Sequence, residues 1–396
     1  MNVAIRSSSK ERMAEPQLLD GIVVADFSMN VAGPFAGMIL GDLGARVIKV
    51  EKPEGDDARY FAPRVNGESV AFMAFNRNKQ SVILDLKSDA GRSAALALTT
   101  RSDVLIESLR PGTMDALGLG YEEVRKTNEG LVYCSVSAFG DSGIGRDLPG
   151  YDPIIQAFSG LMSMTGESGG PPVRVAAAVS DLTTGVWAAL GIVAALFKRQ
   201  NSGQGMRVGV SLFDSVMALL SHQVAISLAT GEQPQKMGSA SPLTAPYQAI
   251  TSADGFVMVA AGNDKLFKQL LLALDLPLLG RDSRFQSVTA RVENRAALIR
   301  ELESRSGTFT SAALVQTLRA SGIPCSPVNA LAEALADPLV ADRNVITTVR
   351  GHLLVPELRL VATPLRTGGG PLRTDHSAPP TLGQHSVEIL DWLAAK

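Results

Sequence analysis

Between residues 20 and 140 the chain alternates short apolar runs with helical segments, and this alternation limits its fold more than any other feature. The runs are "IVVADF" (22–27), "RVIKVE" (46–51), "SVILDL" (81–86), "DVLIES" (103–108) and "LVYCSVSAF" (131–139). A Gly-containing helix to about Gly44, "AGRSAALALTTR" and "TMDALGLGYEEVRKTN" fall between them as helices. Near-continuous apolar strands separated by helices predict a parallel sheet with helices on both faces. Ligands of such sheets bind at the strand C-terminal ends.

The texture then changes. A loop-rich block, "GDSGIGRDLPGYDP", leads to a helix, "IIQAFSGLMSM", and a Gly/Pro loop, "TGESGGPP". An apolar run, Gly185 to Phe197, is shorter than the roughly 20 residues a membrane span needs and predicts a fully buried core helix. A strand, "MRVGVSL", and a long helix at about 213–230 follow. "GEQPQKMGSASPLTAP" reads as a linker. "YQAITSADGFVMVAAG" is a hairpin with an Asp-Gly turn. Helices are expected around 264–273, 291–305 and 309–320, and a short strand at 357–361. The expected layout is a disordered extension over 1–17, a large α/β domain over 18–225 and a small α+β domain over 226–329. A linker and C-terminal segment over 330–396 would return to the large domain.

Composition narrows the function. Hydrophobic residues make up 45% and charged residues 19%, enough for one large core or two. The net charge is -2, with Lys and Arg scattered, so neither nucleic acid nor a membrane is an expected partner. Two cysteines, Cys134 and Cys325, give no disulfide framework and no metal spacing, which favours a cytoplasmic location. His222, His352, His376 and His385 are far apart in sequence, and no metal is expected.

Two familiar motifs fail on context. The turn after the first strand, "NVAGPFAG", has Gly33 and Gly37 but not the dinucleotide fingerprint. "GESGG" (166–170) is followed by Pro171 and Pro172, so no helix can start there to form a nucleophile elbow. Asp26 and Asp85 interrupt apolar strands and read as turn caps. Asp181 differs. It is the one carboxylate between Val173 and Gln200, at the joint of two apolar runs. Its local reading is a helix N-cap, with Thr183 and Thr184 in the first turn. Its functional reading is a partly desolvated nucleophile beside helix N–H groups.

These residues sit within "LLDGIVVADFS…AGP", "LGARVIKVEKPEGDDAR", "FNRNKQSVILDLK", "SDVLIESLRPGTMDALGLGYE", "GYDPIIQAFSGLMSMTGE", "AAAVSDLTTGVWAALGIVAAL", "NSGQGMRVGVSLFDSV" and "GIPCSPVNALAEALADP". Together they resemble the class III CoA transferases from about Leu18 to Leu390. The resemblance implies a Rossmann-like α/β large domain, a smaller α+β domain and an interlocked homodimer. It implies coenzyme A, carried as an acyl-CoA substrate, and a small carboxylic acid acceptor. Asp181 takes the catalytic position, forming an aspartyl-acyl anhydride and then an aspartyl-CoA thioester. The implied CoA contacts are Val31, Ala32, Lys52, Leu84, Lys87, Ser108, Leu109, Arg110, Ser137, Phe139 and Gly140. Ala116 replaces an arginine found in some members.

The resemblance also separates substrates. Val31 stands where formyl-CoA transferases carry glutamine, which argues against formyl/oxalate exchange. Tyr151 stands where the α-methylacyl-CoA racemases have histidine, so a two-base isomerase lacks one base. The segment from Gly238 to Phe267 is most similar to members that use succinyl-CoA and short dicarboxylic acids, with Ser239, Ser241 and Tyr247 near the acid. The competing readings are a racemase-type isomerase and a non-catalytic CoA-binding protein.

Overall fold

The structure, a computed structural model, describes residues 17–395; the expected extension lies outside these residues except for Gln17. Six strands form one parallel sheet: β1 (Val23–Phe27), β2 (Arg46–Glu51), β3 (Lys79–Ile83), β4 (Val104–Glu107), β5 (Val132–Ser137) and β6 (Arg207–Ser211). Their spatial order is β3-β2-β1-β4-β5-β6. Val24 aligns with Val47 on one side and Val104 on the other. Both faces are covered, so residues that alternate between faces, such as Val24 and Ala25, are equally buried.

One face holds Phe27, Ile48, Val82, Leu105 and Tyr133, packed with Ala95 and Leu98 of helix α2 (Asp89–Thr100). Ser88 caps α2 by accepting from the Gly91 N–H at 3.0 Å. The C-terminal helix Ser386–Ala394 adds Ile389 and Trp392 to the same core. It also covers the outer edge of β3. His385 N–H donates to the Ser81 carbonyl at 2.9 Å, and Ile83 N–H donates to Ser386 Oγ at 3.1 Å. An uncovered edge would present these groups to another strand.

The opposite face carries α1 (Ala32–Asp42) and α4 (Val179–Ser202); α3 (Asp152–Phe158) precedes α4 in the chain. The two long helices approach closely because α4 has no side chain at Gly185. A Cβ there would lie 2.8 Å from the Ala32 carbonyl oxygen and 2.9 Å from Phe35. Gly203, at φ 69°, ends α4 in the left-handed conformation favoured past a helix C-terminus.

Several expectations need correction. The run 185–197 is part of a longer helix of 24 residues, and it is not fully buried. Val186, Trp187, Leu190 and Phe197 are exposed on one face, while Ala188, Ile192 and Ala195 are buried on the other. By length and hydropathy α4 could cross a membrane, yet its buried face packs on α1, β5 and β6 as a core helix does. The third strand begins and ends earlier than "SVILDL". Asp85 turns the chain after it by accepting from the Lys87 N–H at 3.0 Å. The helix expected over 113–128 is two short helices, Thr113–Ala116 and Tyr121–Val124, because Gly118 adopts φ 72° between them. The helix expected over 213–230 is also two, Leu212–Leu219 and Ser221–Thr230.

The chain divides into two units. Of the described residues, the first comprises 17–155, 177–219 and 344–395; the second comprises 156–176 and 220–343. The second unit has an antiparallel three-stranded sheet whose central strand, Phe256–Ala260, pairs with Tyr247–Thr251 and Cys325–Pro327. Phe267, Leu270, Leu298, Leu302 and Leu314 form its core. The buried Arg291 guanidinium ties this unit together through the carbonyls of Ala245 and Gly262 at 2.8 and 3.0 Å.

Candidate active site

The strand order reverses between β1 and β4, and a crevice forms where the chain leaves these two strands in opposite lateral directions. The two loops are tied to each other: Met29 N–H donates to Ser108 Oγ at 2.9 Å. Asn30 turns at φ 64°, a region Asn tolerates, and its N–H donates to Asp56 at 3.1 Å. Behind the first loop lies a buried charged network. Asp26 pairs with Lys79 at 2.8 Å and accepts from the Ser28 N–H at 3.0 Å. Lys49 pairs with Asp56 at 2.8 Å and donates to the Ser28 carbonyl at 2.9 Å. Glu51 receives both Arg59 donors at 2.7 Å. Burial holds the Lys79 ammonium down to about 8 despite Asp26. Breaking such a pair leaves an uncompensated buried charge, so the network fixes this loop.

A cavity of about 320 Å³ opens above it. Val31, Ala32, Ser108, Leu109, Arg110, Ser137 and Gly140 line it together with Asp181. The Ser137 hydroxyl accepts from the Gly140 N–H at 3.1 Å and shapes that wall. Lys52, Leu84 and Lys87 line a neighbouring cavity of about 250 Å³, which shares Met29 and Leu109 with the first. Phe139 lines neither; its ring packs on Phe213 at 6.1 Å. The expected contacts other than Phe139 thus fall along two adjoining cavities of the first unit.

Asp181 is not the helix cap. The helix begins at Val179, so Asp181 is its third residue, and no side chain of the cap position bonds the helix. Asp152 bonds this first turn instead. One carboxylate oxygen accepts both the Ser180 N–H at 2.9 Å and the Ser180 hydroxyl at 2.7 Å. The Asp181 carboxylate makes no hydrogen bond or ion pair among the described residues. Burial pushes it up to about 7, and the Asp152 charge adds to the effect.

The cations differ in readiness. Lys52 is held by Asp57 at 2.7 Å, so an incoming anion competes with that partner. Lys87, Arg110 and Arg146 form no ion pair or side-chain hydrogen bond among the described residues. Arg146 lines the Asp181 cavity, and a side chain at Gly112 would lie 2.9 Å from its guanidinium. A third cavity, of about 400 Å³, shares Arg110 and Arg146 and adds Glu107 and Arg207. Among the described residues no three His, Cys, Asp or Glu side chains converge as metal ligands do.

Sequence reasoning missed Arg146 and the role of Asp152. Neither has a local signature: Arg146 sits in an exposed loop, and Asp152 acts on a residue 28 positions away.

Residues 19–386 match CoA-transferase family III. The chain belongs to this family. Acetyl-CoA:oxalate CoA-transferase of Acetobacter aceti is 38% identical over 373 residues, covering 91% of this chain and 96% of the relative. Succinate–glutarate CoA-transferase of Agrobacterium fabrum is 35% identical over 382 residues, covering 94% of each. A CAIB/BAIF family protein from Brucella suis shares the fold with a TM-score of 0.86 and 36% identity, over 96% of this chain and 100% of that one. The CoA-transferase described here therefore moves CoA between an acyl-CoA and a carboxylate.

Proposed function

We propose that this CoA-transferase works through covalent catalysis by Asp181. The observation that carries the reading is an unpartnered, partly buried carboxylate facing a cavity at the strand-order reversal. A carboxylate oxygen of Asp181 attacks the thioester carbonyl carbon, the C–S bond breaks, and CoA leaves as thiolate. The thiolate then attacks the Asp181 carbonyl of the mixed anhydride, releasing the donor acid and leaving Asp181 as a CoA thioester. The acceptor carboxylate attacks that thioester and expels CoA thiolate again. Attack of the thiolate on the acceptor carbonyl of the new anhydride releases acyl-CoA and restores the carboxylate. No proton is gained or lost over the cycle. Anhydrides hydrolyse readily, so the site must exclude water.

Val31, Ala32, Ser108, Leu109, Arg110, Ser137 and Gly140 line the path of the thioester arm in this reading. Lys87 and Arg110 meet phosphates by charge-assisted hydrogen bonds. Lys52 does so after releasing Asp57. Leu84 supplies apolar contact, and Phe139 supports the wall through Phe213 rather than touching CoA. The preferred donor is succinyl-CoA. The relatives act on glutarate and oxalate, so both acids belong in an acceptor screen, although Val31 argued against the formyl/oxalate pair. Homodimer formation fits the apolar face of α4, where Trp187 is 45% and Phe197 68% exposed.

The decisive experiment incubates the protein with succinyl-CoA or acetyl-CoA without acceptor and locates the adduct by mass spectrometry. A CoA adduct on Asp181 that disappears on adding an acceptor acid is expected. Full transfer activity in Asp181→Ala would overturn the reading. Loss of α-deuterium from a 2-methylacyl-CoA without CoA transfer would favour an isomerase.

A further inference from the structure

The start of α4 is held from a distance. Helix N-termini leave several N–H groups without intrahelical partners, and a side chain just ahead of the helix commonly accepts one of them. Here the residue ahead is Ala178, which has no acceptor. The acceptor comes instead from Asp152, whose buried carboxylate takes both the N–H and the hydroxyl of Ser180. Ser180 is itself fully buried and directly precedes Asp181. Two carboxylates are thereby placed at one helix start. One accepts two hydrogen bonds from Ser180, and the other is left facing the cavity.

We propose that Asp152 is a positioning residue for the CoA-transfer step: it anchors the first turn of α4 through Ser180, so that Asp181 projects into the cavity unbonded and in the field of a second negative charge. This inference rests on the nucleophilic reading of Asp181. The consequence is chemical. A carboxylate stabilised by hydrogen bonds or a cation is a weak nucleophile, whereas one near another anion keeps its reactivity. Neutral Asp181 predominates below about 7, so the attacking form accumulates as pH rises through that value.

Other charged and titratable groups lie near the start of α4 and on the elements packed against it. The cavity contributes Asp57, Arg110, Arg146 and Tyr151. Asp42 of α1 is bound by Arg77 at 2.6 Å, and Arg207 of β6 by Asp141 at 2.8 Å. Asp214, on the helix Leu212–Leu219, accepts from the Ser211 hydroxyl at 2.7 Å. Tyr133 and Cys134 of β5 are pushed up by burial and stay neutral. All of them remain when Asp152 alone is changed.

The test uses the full-length protein and single-turnover formation of the Asp181 adduct, with whichever of succinyl-CoA and acetyl-CoA reacts with the wild type. In Asp152→Asn the amide oxygen can still accept from Ser180, but the charge is gone. Its acid limb should move down by at least about half a pH unit while staying above an ordinary carboxylate, because burial persists. Ser180→Ala keeps the charge and removes one tie. Its acid limb should stay in place while the plateau rate falls several-fold. A wild-type limb in Asp152→Asn, or a wild-type plateau in Ser180→Ala, would overturn the inference. If the wild type forms no adduct with either donor, the nucleophilic reading fails and this inference with it. An adduct in the wild type with unchanged variants sinks the inference alone.

Discussion

At the scale of single residues, the pH behaviour of Asp181 follows from its surroundings. The carboxyl is held near 7, first by burial and then by Asp152, so adduct formation should rise with pH and level off above about 7. The same shift has a stability consequence. The unfolded carboxyl ionises near 4, whereas the folded one resists until about 7, so wild-type stability is lost across that interval. Asp181→Asn should therefore melt higher than wild type at pH 8, with the difference shrinking toward pH 4, as calorimetry would show. Because Asp181 does not cap the helix, Asp181→Ala should fold as well as the Asn variant. Arg146 offers a second test. Loss of a charged donor to an anion costs about 1.5–3 kcal/mol. Arg146→Ala should raise KM for acyl-CoA roughly tenfold or more while leaving transfer from an acyl-N-acetylcysteamine thioester, which has no phosphates, unchanged. A tenfold loss on both thioesters would assign Arg146 to the acyl end instead.

At the scale of elements, the pairing of α1 with α4 decides where Asp181 stands. Gly185 allows the contact, since any side chain there meets the Ala32 backbone as well as Phe35. Gly185→Val should cost about 1–3 kcal/mol by overpacking. It should also depress activity beyond its effect on stability, because Asp181 lies one turn away on the same helix. Urea melts and kcat at matched folded fraction separate the two effects. The strands of the sheet were legible from their apolar runs because burial on both faces suppresses polar alternation. Helix lengths were less legible. Gly118 broke one expected helix, and α4 extended beyond its apolar run at both ends, its N-terminal extension, with Ser180, Asp181, Thr183 and Thr184, being helical under tertiary restraint.

At the scale of the molecule, the C-terminal segment completes the first unit. Ile389 is fully buried against the sheet-face core, and Ile389→Ala should destabilise by about 2–5 kcal/mol, read as a lower denaturation midpoint with unchanged oligomeric state. The proposed homodimer makes a separate prediction. Trp187→Glu and Phe197→Glu, on the exposed face of α4, should shift the protein toward monomer in light scattering, because a buried charge without a partner costs several kcal/mol. A wild-type protein that is monomeric at micromolar concentration would refute the assembly.

The sequence by itself determined the parallel sheet, the hairpin of the second unit and the family, because these depend on local periodicity and on motifs that persist along the chain. It also singled out Asp181, since a lone acid between apolar runs is visible without coordinates. Tertiary structure decided what surrounds that acid. Asp152 reaches Ser180 across 28 positions, Arg146 meets the cavity from a loop, and Lys52 is already engaged by Asp57. Hydrogen bonding and charge act through space at a few ångströms, and no spacing along the chain encodes which distant residues come that close.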